Sequence, residues 1–135
     1  MRSEFTYRSG NDLDLEAVLE VYVDSGLGER RPVKDRERME RMLREANLVI
    51  TAWRDKELVG IARSLTDWVY VTYLSDLAVK KKYQRQGIGR ELIKRTKDAC
   101  DPKAMLLLLA APAAENYYPH IGFEHHPQAW AVRGR

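Results

Sequence analysis

The sequence predicts a single α/β domain in which helices flank a mixed sheet. Three observations indicate this fold class. Apolar residues recur at helical spacing between Leu15 and Tyr22, and strand-like apolar runs separated by turn residues fill positions 48–79. An amphipathic helix then precedes four consecutive leucines at 106–109. A length of 135 residues suits one hydrophobic core, so residues 1–135 are predicted to form one domain.

A short edge strand and two helices are predicted first. Residues 5–8 have the pattern of the strand, and Asn11 or Asp12 is placed to cap the first helix. Gly26 ends this helix. A second helix begins near Pro32, because proline suits the first helical turn. Each helix has one apolar face, which we expect to pack on the sheet.

A hairpin and a longer strand are predicted next. Residues 48–53 and 58–65 flank a polar tetrapeptide, 54–57, which is typical of a hairpin loop. A fourth strand over 69–79 is rich in Val, Tyr and Thr. An amphipathic helix then begins at Gly87.

The last part of the chain predicts a strand, a short helix and a final strand. The leucine run places a strand over 103–110 that is covered on both faces. A helix over 113–120 and a strand near 128–132 follow. The predicted order of elements is therefore β-α-α-β-β-β-α-β-α-β.

Residues 84–90 carry the most specific motif, Gln-Arg-Gln-Gly-Ile-Gly-Arg, between a predicted strand and a predicted helix. The first amides of a helix have no internal partner, and the helix dipole favours negative charge at this end. Gly87 and Gly89 permit unusual dihedral angles and let an anion approach the backbone closely. The spacing excludes the phosphate loop G-x-x-x-x-G-K-[ST], and the third glycine of a dinucleotide-binding loop is missing.

The pattern Q-x-x-G-x-G resembles the pyrophosphate loop of the GNAT superfamily of acyl-CoA-dependent N-acetyltransferases. Four residues separate it from a strand that ends Asp-Leu-Ala-Val at 76–79, as in that family. Downstream, residues 118–123 resemble the family's Y-x-x-x-G-F segment. The resemblance covers about residues 58–123 and implies a largely antiparallel central sheet flanked by helices.

The resemblance implies that acetyl-CoA is the cosubstrate. Its pyrophosphate is expected on the amides of residues 85–90. Its pantetheine arm is expected to pair with the end of the fourth strand, which must separate from the fifth strand, usually with the help of a bulge. Basic residues at 80–82, Arg85 and Arg90 also favour a polyanionic ligand. The implied cosubstrate-binding residues are Leu77, Ala78, Val79, Gln84, Arg85, Gln86, Gly87, Ile88, Gly89 and Arg90.

Direct acetyl transfer to a primary amine needs a deprotonated amine, stabilisation of the developing oxyanion, and a proton for the leaving thiolate. The resemblance assigns the last role to Tyr118, whereas neighbouring Tyr117 is expected to pack in the core. The oxyanion donor is expected to be the backbone N–H of Ala78 or Val79. We favour deprotonation through water, with Asp76 as a participant.

One departure from the family leaves a second function open. Members often have asparagine seven residues before the tyrosine, where this chain has Ala111. A non-catalytic acyl-CoA-binding sensor is therefore the alternative to an N-acetyltransferase.

The acceptor is predicted to be a small-molecule amine or a protein amine, in a site shaped by residues 25–31 and 64–67 together with Trp68 and Tyr70. The net charge of +3 and a basic helix without interleaved aromatics do not favour nucleic acid. No apolar run is long enough to span a membrane. The single cysteine favours a location in the reducing cytoplasm. The adjacent histidines at 125 and 126 lack the spacing of metal ligands, so no metal is predicted. The edge of the predicted final strand suggests a possible homodimer.

Overall fold

A five-stranded sheet forms the centre of the computed structural model, which describes residues 4–111, 114 and 116–134. Its strands lie side by side in chain order, the first four antiparallel and the last two parallel. This confirms the predicted mixed, largely antiparallel sheet flanked by helices. The strands are β1 (Thr6–Ser9), β2 (Leu48–Arg54), β3 (Glu57–Thr66), β4 (Val71–Val79) and β5 (Met105–Leu107).

Three helices cover the two faces of the sheet: α1 (Leu15–Ser25), α2 (Arg36–Glu45) and α3 (Ile88–Asp98). The apolar faces of α1 and α2 pack on one side of the sheet, around Ile61 of β3. The apolar face of α3 packs on the other side, around Val59 and Leu74. Gly60 allows α3 to approach closely, because a Cβ at this position would lie 3.2 Å from the Leu92 side chain.

The helices begin later than predicted. Asp14, and not Asn11 or Asp12, caps α1 by accepting a hydrogen bond from the Ala17 amide. Asn11 instead donates through Nδ2 to carbonyl groups at the end of α2, including that of Ala46 at 3.0 Å. Helix α2 begins at Arg36, four residues after Pro32, where Asp35 supplies the cap.

A β-bulge divides β4 into two halves. The register with β3 pairs Arg63 with Asp76 but Ser64 with Leu74, so Ser75 is the extra residue. A bulge of this kind changes which face the following side chains reach. Leu74 accordingly packs with the α3 cluster, whereas Asp76 bonds to a side chain of α1. The sequence pattern gave no indication of this bulge.

Two predictions at the C-terminal end are wrong. Strand β5 covers three residues instead of 103–110 and is not covered on both faces, since Met105 and Leu109 are exposed. Residues 128–132 form no strand, and Trp130 is 95% exposed. These residues make no hydrogen bonds to a neighbouring strand, and without such pairing a strand does not form.

The predicted helix over 113–120 lies partly outside the described residues. Within the described part, Tyr118–Ile121 form a single 3-10 turn. Pro119 lacks an amide donor, and Gly122 ends the turn in the left-handed region at φ 96°.

Candidate active site

A groove opens where β4 and β5 separate. The two strands pair only as far as Tyr73 and Leu107, whereas β4 continues to Val79. The groove has a volume of about 540 Å³. Eight of the ten residues predicted to bind the cosubstrate line it, and Ala78 and Gln86 do not. The eight are Leu77, Val79, Gln84, Arg85, Gly87, Ile88, Gly89 and Arg90.

The backbone of β4 presents hydrogen-bonding groups to this groove. The Lys80 amide donates to the Val59 carbonyl on β3 at 2.9 Å. Because the backbone groups of an antiparallel strand alternate in direction, Ala78 also faces β3, whereas Leu77 and Val79 face the open edge. Gln84 Nε2 reaches the Val79 carbonyl at 2.9 Å from that side. Of the two predicted oxyanion donors, the geometry therefore favours the Val79 amide.

The loop of residues 84–90 surrounds one end of the groove with free amides. Arg85 and Gly87 have positive φ angles of 64° and 84°, and Gly87 caps the N-terminus of α3. Within the described residues, the six amides of 85–90 donate to no acceptor. A Cβ built at Gly87 or Gly89 would meet no atom within 4 Å, so the backbone at both positions faces open space. This arrangement suits an anion such as pyrophosphate.

Lys80 does not belong to the basic surface at this end. Its Nζ lies 3.1 Å from a carboxylate oxygen of Glu20 and 3.0 Å from one of Glu57, and the side chain is buried. Burial acts to lower the pKa of Lys80, but the two carboxylates outweigh it and the pKa is raised. Lys80 therefore fixes the end of β4, which leaves Arg85 and Arg90 as the basic side chains that line the groove.

Asp76 is fully buried at the centre of a hydrogen-bonded cluster next to the bulge. Its Oδ2 accepts from Tyr22 Oη and from Arg63 Nε, both at 2.6 Å. Its Oδ1 accepts from Arg31 Nε at 2.6 Å and from Ser75 Oγ at 3.1 Å. The cluster thus joins α1, the loop after α1, β3 and β4.

The cluster makes Asp76 a poor base. Burial acts to raise the pKa of Asp76, but the hydrogen bonds and charge of Arg63, together with bonds from Tyr22 and Arg31, lower it overall. A carboxylate with a lowered pKa and both oxygens occupied accepts a further proton weakly. The geometry therefore does not favour the predicted participation of Asp76 in deprotonation. Sequence reasoning did not identify its three long-range partners.

Tyr118 lies on the wall between the groove and a smaller pocket. Its ring is half-buried and makes edge contacts with the rings of Tyr117 and Phe123, at centroid distances of 5.3 and 5.4 Å. Burial, followed by the effect of Tyr117, raises the pKa of the Tyr118 phenol. Tyr117 is 41% exposed and lines the groove, so the expectation that it packs in the core is wrong.

The smaller pocket has a volume of about 120 Å³ and shares Leu77, Ala114 and Tyr118 with the groove. Leu27, Arg30 and Arg31, which belong to the segment 25–31 that is predicted to shape the acceptor site, contribute to its wall. Residues 64–67, Trp68 and Tyr70 line neither the groove nor this pocket. They belong to the end of β3 and to the β3–β4 turn, where the Trp68 carbonyl accepts from the Asp101 amide.

The described residues contain no group of three or more His, Cys, Asp or Glu side chains that could hold a metal ion. Among the same residues, every helix is too short or too polar to cross a membrane.

Comparison with known families gives one match over most of the chain. A model described as "Acetyltransferase (GNAT) domain" matches residues 18–134. Serotonin N-acetyltransferase 2, chloroplastic, from Oryza sativa subsp. japonica is 28% identical over 94% of this chain and 64% of its own length. GCN5-related N-acetyltransferase 2, chloroplastic, from Arabidopsis thaliana is 29% identical over 56% of this chain and 30% of its own length. The chain thus spans less than two thirds of the length of both relatives.

Solved structures share the fold along nearly the whole chain. A GNAT-family acetyltransferase from Streptococcus pneumoniae TIGR4 has a TM-score of 0.76 and 25% identity, and the match covers 96% of this chain and 99% of that protein. The aminoglycoside N-acetyltransferase AAC(6')-Iy, solved in complex with CoA, has a TM-score of 0.71 and 17% identity. That match covers 97% of this chain and 95% of the other.

Proposed function

This chain belongs to the GNAT family of acetyltransferases, and from that premise we propose that it transfers an acetyl group directly from acetyl-CoA to a primary amine. One observation carries the proposal. Tyr118 lines both the groove of the 84–90 loop and the pocket lined by Arg31, so the two candidate binding sites share this tyrosine.

The groove offers acetyl-CoA two binding positions. The six free amides of residues 85–90 would bind the pyrophosphate, with Arg85 and Arg90 adding positive charge. The open edge of β4 at Leu77 and Val79 would pair with the amides of the pantetheine arm. Bound acetyl-CoA supplies an activated thioester carbonyl.

In the reaction, the amine nitrogen forms a bond to the acetyl carbon while the thioester C–S bond breaks. The amine loses one proton and the sulfur gains one. We assign the donation to the sulfur to Tyr118, whose raised pKa keeps the phenol protonated at neutral pH. We assign stabilisation of the negative charge on the acetyl oxygen to the Val79 amide.

Deprotonation of the amine through water agrees with the charges near the pocket. The Asp76 cluster contains one carboxylate and two guanidinium groups, Arg31 and Arg63, which leaves one excess positive charge. Positive charge nearby disfavours an ammonium ion and therefore favours the neutral, nucleophilic amine. In this scheme Asp76 is a positioning residue that holds Arg31 and the bulge.

An acceptor-panel assay tests the proposal. The release of free CoA thiol is measured in mixtures of the protein, acetyl-CoA and one amine. The amines include amino acids, small alkyl and aryl amines, aminoglycosides and peptides. Each product is checked by mass for one added acetyl group. We expect CoA release that depends on an amine. Binding of acetyl-CoA without release for any amine would contradict the proposal and favour the sensor alternative.

Three further predictions accompany this function. A homodimer is still predicted, although the strand at 128–132 on which it relied does not form, and light scattering at high protein concentration measures it directly. The cytoplasmic location rests on the single cysteine alone. The acceptor is an amine, with no role predicted for nucleic acid, membrane or metal.

A further inference from the structure

We propose that the acceptor is a small amine that also carries an anionic group, which binds to the side chain of Arg30. The proposal rests on the proposed function, because the pocket beside Tyr118 is taken as the place where the amine enters. It narrows the acceptor to amines of amino-acid-like chemistry with an apolar body.

The charge in the pocket is the first support. The described residues that line it include two arginines and no acidic residue. The nearby carboxylate, Asp76, is fully buried, and each of its oxygens accepts a hydrogen bond from an arginine. A cationic group on the acceptor would therefore find no free carboxylate among these residues, whereas an anion would find positive charge.

Arg30 is the arginine with free donors. Arg31 uses all three of its guanidinium nitrogens, since Nε donates to Asp76, Nη2 to the Ser75 carbonyl and Nη1 to the Arg30 carbonyl. The guanidinium group of Arg30 is exposed and has no partner within the described part of the chain. A guanidinium group binds a carboxylate through two parallel hydrogen bonds, which makes it a suitable receptor for this anion.

The backbone at Arg30 is held in place. Its carbonyl accepts from Arg31 Nη1 at 2.8 Å, and Arg31 is in turn anchored on Asp76 and on the bulge. Arg30 therefore extends from a fixed position next to the pocket. Such anchoring lowers the backbone entropy that this segment loses when it binds a ligand.

The remaining walls indicate the size and polarity of the acceptor. The pocket is small, about 120 Å³, and its lining is mixed: the arginines, Ser75 and Tyr118 supply polar groups, and leucines from three segments of the chain supply apolar surface. Tyr118 lies at the wall shared with the groove. These walls suit an acceptor that binds Arg30 through its anion, places its apolar part among the leucines and points its amine toward Tyr118. The leucines are Leu27, Leu74, Leu77, Leu108 and Leu109.

The test compares two matched sets of acceptors, the free α-amino acids and their α-carboxamides, with acetyl-CoA saturating. We expect wild type to acetylate one or more free amino acids, and Arg30→Gln to raise the KM of that amino acid. In Arg30→Gln, the ratio of kcat/KM for the free amino acid to kcat/KM for its carboxamide should fall about 10- to 100-fold from the wild-type ratio. The KM of acetyl-CoA should stay unchanged. Comparing this ratio between variants cancels the difference in amine pKa between the two sets.

Arg41→Gln is the matched control. Arg41 is an exposed arginine of α2 that lines neither the groove nor the pocket, and its substitution removes the same charge from the protein. An equal ratio in wild type and Arg30→Gln would overturn the inference, and so would transfer to uncharged or cationic amines alone, while the proposed function would stand. Absence of transfer to any amine would instead contradict the proposed function itself.

Discussion

Arg31 donates a hydrogen bond through Nε to Oδ1 of Asp76 across 2.6 Å, and this pair ties the loop after α1 to the middle of β4. The same guanidinium group reaches the Ser75 carbonyl at 2.8 Å. The loop that lines the proposed acceptor pocket and the bulge beside the groove are therefore held by one buried carboxylate. Stability and acceptor binding should both depend on it.

Replacing Asp76 with asparagine should destabilise the protein strongly. The variant leaves Arg31 and Arg63 near each other without the carboxylate that neutralises them, and breaking a buried ion pair in this way costs about 3–5 kcal/mol. Urea denaturation measures the loss. Asp98→Asn is the control, because Asp98 forms an exposed pair with Lys94 and its substitution should change stability little. Equally small losses of unfolding free energy in the two variants would show that the cluster does not stabilise the fold.

The contribution of Asp76 should disappear in acid. Its pKa in the folded protein lies below the ordinary value of 3.8, so the carboxylate stabilises the fold above that value, and this stabilisation is lost as the pH falls through the folded pKa. The difference in unfolding free energy between wild type and Asp76→Asn should therefore be largest near neutral pH and smaller at about pH 3. Urea titrations of both proteins at the two pH values check this. A difference that does not change with pH would mean that Asp76 has no lowered pKa.

Gly89→Asp should abolish binding of CoA without damage to the fold. The new side chain meets no protein atom near its Cβ, and a carboxylate in the first turn of α3 interacts favourably with the helix dipole. The same charge repels a pyrophosphate on the loop amides. Thermal unfolding with and without CoA measures the effect, and we expect the stabilisation of wild type to be absent.

Two further glycine variants refine that experiment. Gly89→Ala adds a Cβ without charge and should weaken CoA binding less than Gly89→Asp does. Gly87→Asp should also abolish binding, but its φ of 84° strains any side chain, so its own stability must be measured beside it. An unchanged thermal shift with CoA in both Asp variants would place the cosubstrate elsewhere.

Tyr118→Phe should lower turnover by about 10²–10⁴-fold if thioester breakdown limits the rate, because it removes the proposed acid. The ring contacts with Tyr117 and Phe123 remain, so stability and acetyl-CoA affinity should barely change. Steady-state kinetics and thermal unfolding measure the two effects. Tyr117→Phe is the matched control, since it removes a neighbouring hydroxyl from the same groove. Small and equal effects would assign Tyr118 to packing and favour the sensor alternative.

Local patterns predicted the parts of the site that are contiguous in the chain. The loop at 84–90 needs only two glycines, the preceding strand and the following helix, so its position on the groove was readable from sequence. The hairpin of β2 and β3 was readable for the same reason, since a polar tetrapeptide separates two apolar runs.

The Asp76 cluster was not predictable in this way. Tyr22 and Asp76 lie 54 residues apart in the chain, and only the packed sheet brings them together. One signal was present: Arg63 is the single charged residue of the predicted strand 58–65, and a buried charge requires a partner. The bulge at Ser75 left no comparable trace, because nothing in the alternation along β4 is interrupted.

The bulge in β4 also determines where this strand can change length during evolution. Deleting Ser75 would leave Leu74 opposite Ser64 and Asp76 opposite Arg63, so both side chains would keep their faces. Deleting Leu77 would instead turn Ala78 and Val79 to the opposite faces of the sheet. A single-codon deletion in β4 would therefore exchange the faces of the residues beyond it at any position except that of the extra residue. The exposed turn around Val69 carries no such constraint, so length differences among diverging copies of this gene should accumulate in that turn and be rare in β4.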